Sequence, residues 1–406
     1  MSKKKIWICD DVEDIERRWQ EKLKAVPTIL EAFDVEVVRP TTLVDEAKAL
    51  EKRREEARNR NHPLESYSED ETANIFDETD ILIIDYDLIR LNTESYMTGE
   101  NIAYLARCYS SCGLIIALNQ PPEHEIIFDL TLKRYPESFA DLNINDQSLD
   151  DPGLWSEPGI WREFRPWYWP YLPQTLEKFE RRVISLGSNL EESILKYLGF
   201  LDRDTNLSRS ALEFLTASGN PAGATFMDFV LPNRSSGHGL RGKDKPFSKE
   251  SITRIAAARI YHWLESIVLP GQDILVDAPH LISRYPSLLK GGLEDFGAWN
   301  ETASFDSFEA IGVDDTVIQN YRFDKHDWLS RPAWFWAEVS NCEDIKEVSD
   351  PWSTDRPDSV FCEDTSRFTR RNEAREFIAD LESPFIRRFV KEVEGTSYRP
   401  RVRFSM

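Results

Sequence analysis

Long apolar runs are missing from this 406-residue chain. A membrane-spanning helix needs roughly 20 consecutive apolar residues, and no stretch approaches that. The basic start, Lys3–Lys5, is followed by only the short apolar run Ile6–Cys9. That is too little for the core of a secretory signal, so a soluble, cytoplasmic protein with no membrane partner is expected. Cysteine is scarce too. The five thiols, at Cys9, Cys108, Cys112, Cys342 and Cys362, include one close pair and no adjacent histidine set. A structural zinc site and a disulfide framework are therefore not expected, and reduced thiols are. Positive charge is in deficit, with 50 Lys and Arg against 72 Asp and Glu, a net charge of -22. A field of that sign repels nucleic-acid phosphates, so nucleic acid is not an expected partner. None of the six histidines falls in an H-E-x-x-H pattern, no G-x-S-x-G is present, and there is no internal repeat or heptad run.

What the chain does have is material for a core: 41% hydrophobic residues, 12% aromatic, and 12 Trp. Its length suits more than one domain. In the N-terminal third, apolar runs alternate with helical patterns. Residues 5–9, 34–38, 80–88 and 113–118 read as strands. Residues 12–26, 42–60 and 98–109 read as helices, the first with Ile15, Trp19, Leu23 and Val26 on one face. Strand–helix alternation of this kind predicts a doubly wound parallel sheet, α/β in class. The runs at 126–132 and 138–144 are further strand candidates. The acidic stretch 61–79 reads as an insertion. The expected boundaries are 1–150 for the α/β domain and 151–406 for a mixed, mainly helical region. A Trp- and Pro-rich junction, 153–173, separates them. In the second region, 174–187, 190–200, 248–269, 370–381 and 383–394 carry helical patterns, and 328–339 reads as core.

Two strands end in acids. Asp10 and Asp11 follow the first apolar run, and Asp85 closes the third, with Asp87 just beyond. With the usual 2-1-3 strand order the first and third strands are neighbours, and their carboxylates converge beyond the strand ends. Such a cluster is costly unless a cation neutralises it, and a hard divalent ion such as Mg²⁺ suits oxygen ligands.

The segments KKIWICDDVEDI, DILIIDYDL and TGENIAYLARCY resemble the receiver domain of bacterial response regulators, a flavodoxin-like α/β fold. The resemblance covers about residues 4–145. It implies Mg²⁺ held by Asp10, Asp11 and Asp85, and a phosphoryl group accepted on Asp85 from a histidine kinase or another phosphoryl donor. It places Gly99 at the glycine opening the helix after the third strand. The fourth strand should end in a switching Ser or Thr. Here it offers Leu118, Asn119 or Gln120, with Asn119 the candidate switch residue. The fifth should end in Lys, but SFADLNIND has none, and Lys133 is the nearest. The implied role is a two-component signalling phosphoprotein in which phosphorylation controls a C-terminal effector. The alternatives are a pseudo-receiver that binds a protein partner without phosphorylation, and a metal-dependent hydrolase with its site in the C-terminal region.

Weaker signals remain. GHGLRGKD, 237–244, has G-x4-G-K spacing, but Asp244 stands where a P-loop needs Ser or Thr. Arg241 and Lys243, with Arg234 and Lys245, make it a candidate anion-binding loop. His280 and His326 have nearby Asp residues able to orient an imidazole. Cys362 is a candidate nucleophile. The tail from 385 onward is basic, suited to an acidic partner, to nucleic acid or, more simply, to acids of its own chain.

Overall fold

The computed structural model describes residues 3–59, 74–86, 88, 97–118, 126–133, 138–156, 162–201, 207–215, 220–231, 247–304, 312–345, 358–381 and 383–400. Its N-terminal part is a five-stranded parallel sheet in the order β2-β1-β3-β4-β6. The strands are β1 (Lys4–Cys9), β2 (Phe33–Val37), β3 (Ile81–Asp85), β4 (Leu114–Leu118) and β6 (Leu142–Ile144). Every residue of β3 and β4 is buried, as continuous apolar runs in a parallel sheet require. One face, with Ile6, Ile8, Ile81, Ile83 and Ile116, packs on Trp19 and Leu23 of α1 (Glu13–Lys24). The opposite face, with Leu82, Ile84 and Ile115, packs on α3 (Pro40–Asn59) and α4 (Gly99–Tyr109). A six-residue α2 (Pro27–Ala32) leads into β2. This is the doubly wound α/β topology common to flavodoxin-like and Rossmann-like domains.

The acidic stretch 61–79 lies partly outside the described residues. In its described part, residues Ile75–Glu78 form a 3-10 turn, with Phe76 fully buried and Asp77 paired to Arg53 at 2.8 Å. Between β4 and β6 runs no described helix but a strand, β5 (Ile126–Asp129). It pairs in parallel with the last described strand, β13 (Thr396–Arg399), through the register Thr396↔Ile126 to Arg399↔Asp129. Both strand candidates at 126–132 and 138–144 thus contain strands, but only the second joins the main sheet.

The described residues of the junction, 152–156 with α5 (Pro152–Trp155) and 162–173, are aromatic packing, with Trp155, Trp167 and Trp169 buried. The junction leads into α6 (Leu172–Leu186). The expected helix at 190–200 shrinks to α7 (Ile194–Tyr197), followed by α8 (Arg209–Leu215) and α9 (Phe226–Val230). Ser248 caps α10 (Lys249–Trp263), its side chain accepting from the Ser251 amide, and a π turn at Leu264–Val268 ends it. The pair β7 (Leu275–Asp277) and β8 (Ala333–Phe335) frames α11 (Ala278–Arg284) and α12 (Phe296–Glu301), with α13 (Trp336–Ser340) after it. Residues 328–339 are core as expected, Trp328, Trp334 and Val339 being nearly inaccessible.

The two helices expected at 370–381 and 383–394 are absent. That stretch belongs to a four-stranded sheet, order β10-β9-β12-β11. Its strands are β9 (Ser359–Cys362), β10 (Arg367–Arg370), β11 (Arg375–Ile378) and β12 (Arg387–Val390). Pairing across the β11–β12 hairpin outweighs the helix propensity of its Arg, Glu and Ala residues. Among the described residues no helix is long and apolar enough to cross a membrane.

Candidate metal centre

β1 stops at Cys9 because the next residue bends the chain. The Asp10 carboxylate oxygen Oδ1 accepts from the Val12 amide at 2.7 Å, which turns the backbone into α1. β1 and β3 pair in parallel up to Cys9↔Ile84, so Asp10 and Asp85 stand level just past the last pair. The convergence expected from strand order is present. Asp10, Asp11 and Asp85 each offer a carboxylate oxygen, and the three atoms lie within 4.8 Å of one another. Asp10 is 1% exposed and Asp85 8%.

The electrostatics of the site are those of a cation hole. Burial, and then the neighbouring charge of Asp11, push the Asp10 carboxyl up to about 6, against the opposing hydrogen bond from Val12. Its second oxygen, Oδ2, is buried with no hydrogen-bond partner. An unsatisfied buried carboxylate oxygen is expensive, and two further carboxylates beside it raise the cost. A divalent cation removes both penalties at once. The donor set is all oxygen, as Mg²⁺ prefers, and the cluster can coordinate such an ion.

Two supporting residues hold the frame. Glu16, on α1 and 1% exposed, accepts the Asp10 amide through Oε1 at 3.2 Å. Sequence reading missed it. The available signal was a carboxylate on the same helical stripe as Trp19 and Leu23, where an apolar residue belongs. Gly99 opens α4 directly against the end of β3. Its amide donates to the Tyr86 carbonyl at 3.2 Å, and a Cβ there would stand 2.0 Å from the Asp85 carbonyl oxygen. Thr98 caps the helix by accepting from the Asn101 amide.

Asn119, Asp87, Arg241, Lys243, Arg234 and Lys245 lie outside the described residues. Lys133 is not at the pocket; it pairs with Asp380. After β6 comes Asn145, whose side chain caps a short turn by accepting from the Gln147 amide at 2.8 Å. The next residue, Asp146, is held by Arg18 at 3.1 Å. The orienting partner expected for His280 is Asp277, at 2.7 Å from Nδ1. The other ring nitrogen is 2.9 Å from Glu363, so both are engaged and neither is available as a base. Cys362 is buried, and burial pushes its thiol up, which suits a core residue and not a nucleophile. In the described part of the basic tail, Arg387 pairs with Glu376 and Arg388 with Glu363, acids of its own chain. No protein-family model matches the chain, and no curated protein matches it.

Proposed function

We propose that the chain is a receiver-like signalling protein. Its acidic pocket holds Mg²⁺, and Asp85 accepts a phosphoryl group from a histidine kinase or a small phosphoryl donor. The observation that carries this reading is the meeting of Asp10, Asp11 and Asp85 beyond neighbouring strands, with an unsatisfied Asp10 oxygen among them. Asp10, Asp11 and one oxygen of Asp85 would hold the cation. When bound, the cation neutralises charge on the transferred oxygens. The other Asp85 oxygen attacks phosphorus. The bond from phosphorus to the donor's leaving atom breaks, the imidazole nitrogen of a phosphohistidine or the acetate oxygen of acetyl phosphate, its electron pair leaves with that atom, and an acyl phosphate remains on Asp85. The output passes to the C-terminal region, which the β5–β13 pairing ties to the segment after β4. The reduced thiols fit a cytoplasmic setting.

A second reading, a pseudo-receiver that keeps the cation and a protein partner without phosphorylation, is favoured by Asn145 standing where a lysine is expected. One experiment separates the two. The protein is incubated with acetyl phosphate and Mg²⁺, and its intact mass is measured. The expected result is a gain of one phosphoryl group, absent in Asp85→Asn and absent with EDTA. An unchanged wild-type mass removes phosphoryl transfer and leaves the pseudo-receiver.

A further inference from the structure

The C-terminal sheet pairs most of its arginines. Arg375 meets Glu392 at 2.7 Å, Arg387 meets Glu376 at 2.6 Å, and Arg388 meets Glu363 at 2.8 Å. Three cations depart from this pattern. Arg367 and Arg370 of β10, and Lys391 just after β12, form no side-chain ion pair among the described residues. In a chain with 72 acids to 50 bases, three neighbouring cations without an ion-pair partner among the described residues are a departure from the average. All three line one cleft of about 470 Å³, between α12 and the edge of the sheet. Its size lies within the range of small-molecule sites.

The strand position explains the convergence. β10 is the edge strand, so side chains from both of its faces reach the space beside it. Arg367 and Arg370 lie on opposite faces and still border the same cleft. The open edge is not a template for another strand. Asn300 of α12 accepts the outward Phe368 amide at 2.9 Å and blocks the ladder there. The cleft therefore suits a compact ligand better than an extended peptide.

The remaining walls narrow the ligand class. Phe296 borders the cleft and is 41% exposed, an apolar face available to a flat ring. Glu163 and Glu373 stand on the same lining, which disfavours a simple polyanion. Carboxylates accept hydrogen bonds from sugar hydroxyls, and guanidinium groups fork onto phosphate oxygens. Cations, carboxylates and an exposed aromatic ring in one cleft match the three parts of a nucleotide. We infer that this cleft is a nucleotide-binding site, with Arg367, Arg370 and Lys391 on the phosphates and Phe296 against the base. It is separate from the acidic pocket and does not depend on phosphorylation of Asp85.

The test is calorimetric titration of ATP into the full chain, with EDTA present so that the acidic pocket takes no part. Adenosine and inorganic phosphate are titrated separately. The expected result is saturable one-to-one binding of ATP, weakened at least tenfold in an Arg367→Ala/Arg370→Ala double variant. Arg387→Ala, which removes a paired arginine of the same sheet, leaves affinity unchanged, as does Asp85→Asn. A charge-retaining Arg367→Lys/Arg370→Lys variant keeps part of the affinity, which separates lost contacts from lost fold. Absence of ATP binding, equal affinity for ATP and inorganic phosphate, or undiminished binding by a folded double-alanine variant overturns the assignment.

Discussion

Arg388→Met lowers the unfolding free energy by about 3–5 kcal/mol at neutral pH, measured by urea denaturation, because it strands a buried carboxylate. Arg388 is 3% exposed and donates to Glu363, which is 1% exposed. Glu363 also meets His280, His280 meets Asp277, and Asp277 is held by Gln272, whose amide nitrogen donates to it at 2.7 Å. The chain of contacts joins α11 to the C-terminal sheet beneath the rings of Trp167, Phe361 and Phe385. Methionine keeps much of the arginine's volume and removes its charge. The double variant Arg388→Met/Glu363→Leu recovers much of the loss, since replacing both partners removes the stranded charge as well.

The pH dependence follows from the same groups. Burial favours the neutral form of Glu363, but Arg388 and then His280 prevail and hold its carboxyl down at about 2. A depressed acid stabilises the fold above its ordinary value of 4.5 and loses that contribution as pH falls toward 2. For His280, burial favours the neutral form. Asp277, with help from Glu363 and against Arg388, prevails and raises it above the ordinary 6.5. Its contribution is full below 6.5 and is lost as pH rises through the folded value. The network therefore contributes most between these two ordinary values. Without Arg388 the Glu363 carboxyl protonates more readily, so the deficit of the Met variant shrinks as pH falls from 7 toward 4.5. A deficit independent of pH contradicts this account of the network.

Gly99→Ala disrupts the acidic pocket without touching a carboxylate. The three atoms nearest a new Cβ are all backbone: the Asp85 carbonyl oxygen at 2.0 Å, its carbon at 2.9 Å and the Tyr86 Cα at 3.0 Å. No flexible side-chain end is there to swing aside. Either β3 or the first turn of α4 must move, at a cost of about 1–3 kcal/mol. The end of β3 carries Asp85, so the shift also separates it from Asp10 and Asp11. The expected result is at least a tenfold loss of Mg²⁺ affinity, with far-UV circular dichroism retained. Unaltered affinity and stability mean that α4 and β3 tolerate separation and that Gly99 has no part in shaping the pocket.

The pocket was legible in the sequence because its ingredients are local. Each acid ends a continuous apolar run, and the 2-1-3 strand order usual in flavodoxin-like sheets makes the first and third strands neighbours, as they are here. Gly99 was expected on other grounds, as the glycine that the resemblance to receiver domains places at the start of the helix after the third strand. What was hidden depends on distant partners. Nothing local marks Ile126–Asp129 as the mate of Thr396–Arg399 at the far end of the chain. Asp277 and His280 share a helix start and their contact was foreseeable, but Glu363 lies 83 residues from His280. The hairpin of β11 and β12 looked helical because its residues favour helices in isolation. Its inward face also includes a buried arginine, Arg388, which breaks the alternation that marks a strand.

The claim on which the function rests is that carboxylates from β1 and β3 share a cation. Isothermal titration of MgCl₂ into metal-free protein tests it directly. The account predicts saturable uptake of one ion per chain, with affinity rising as pH increases through about 6, where Asp10 loses its proton. It also predicts that Asp10→Asn and Asp85→Asn abolish that uptake while remaining folded. Absence of binding by the wild-type chain, or binding that persists unchanged in Asp10→Asn, contradicts it.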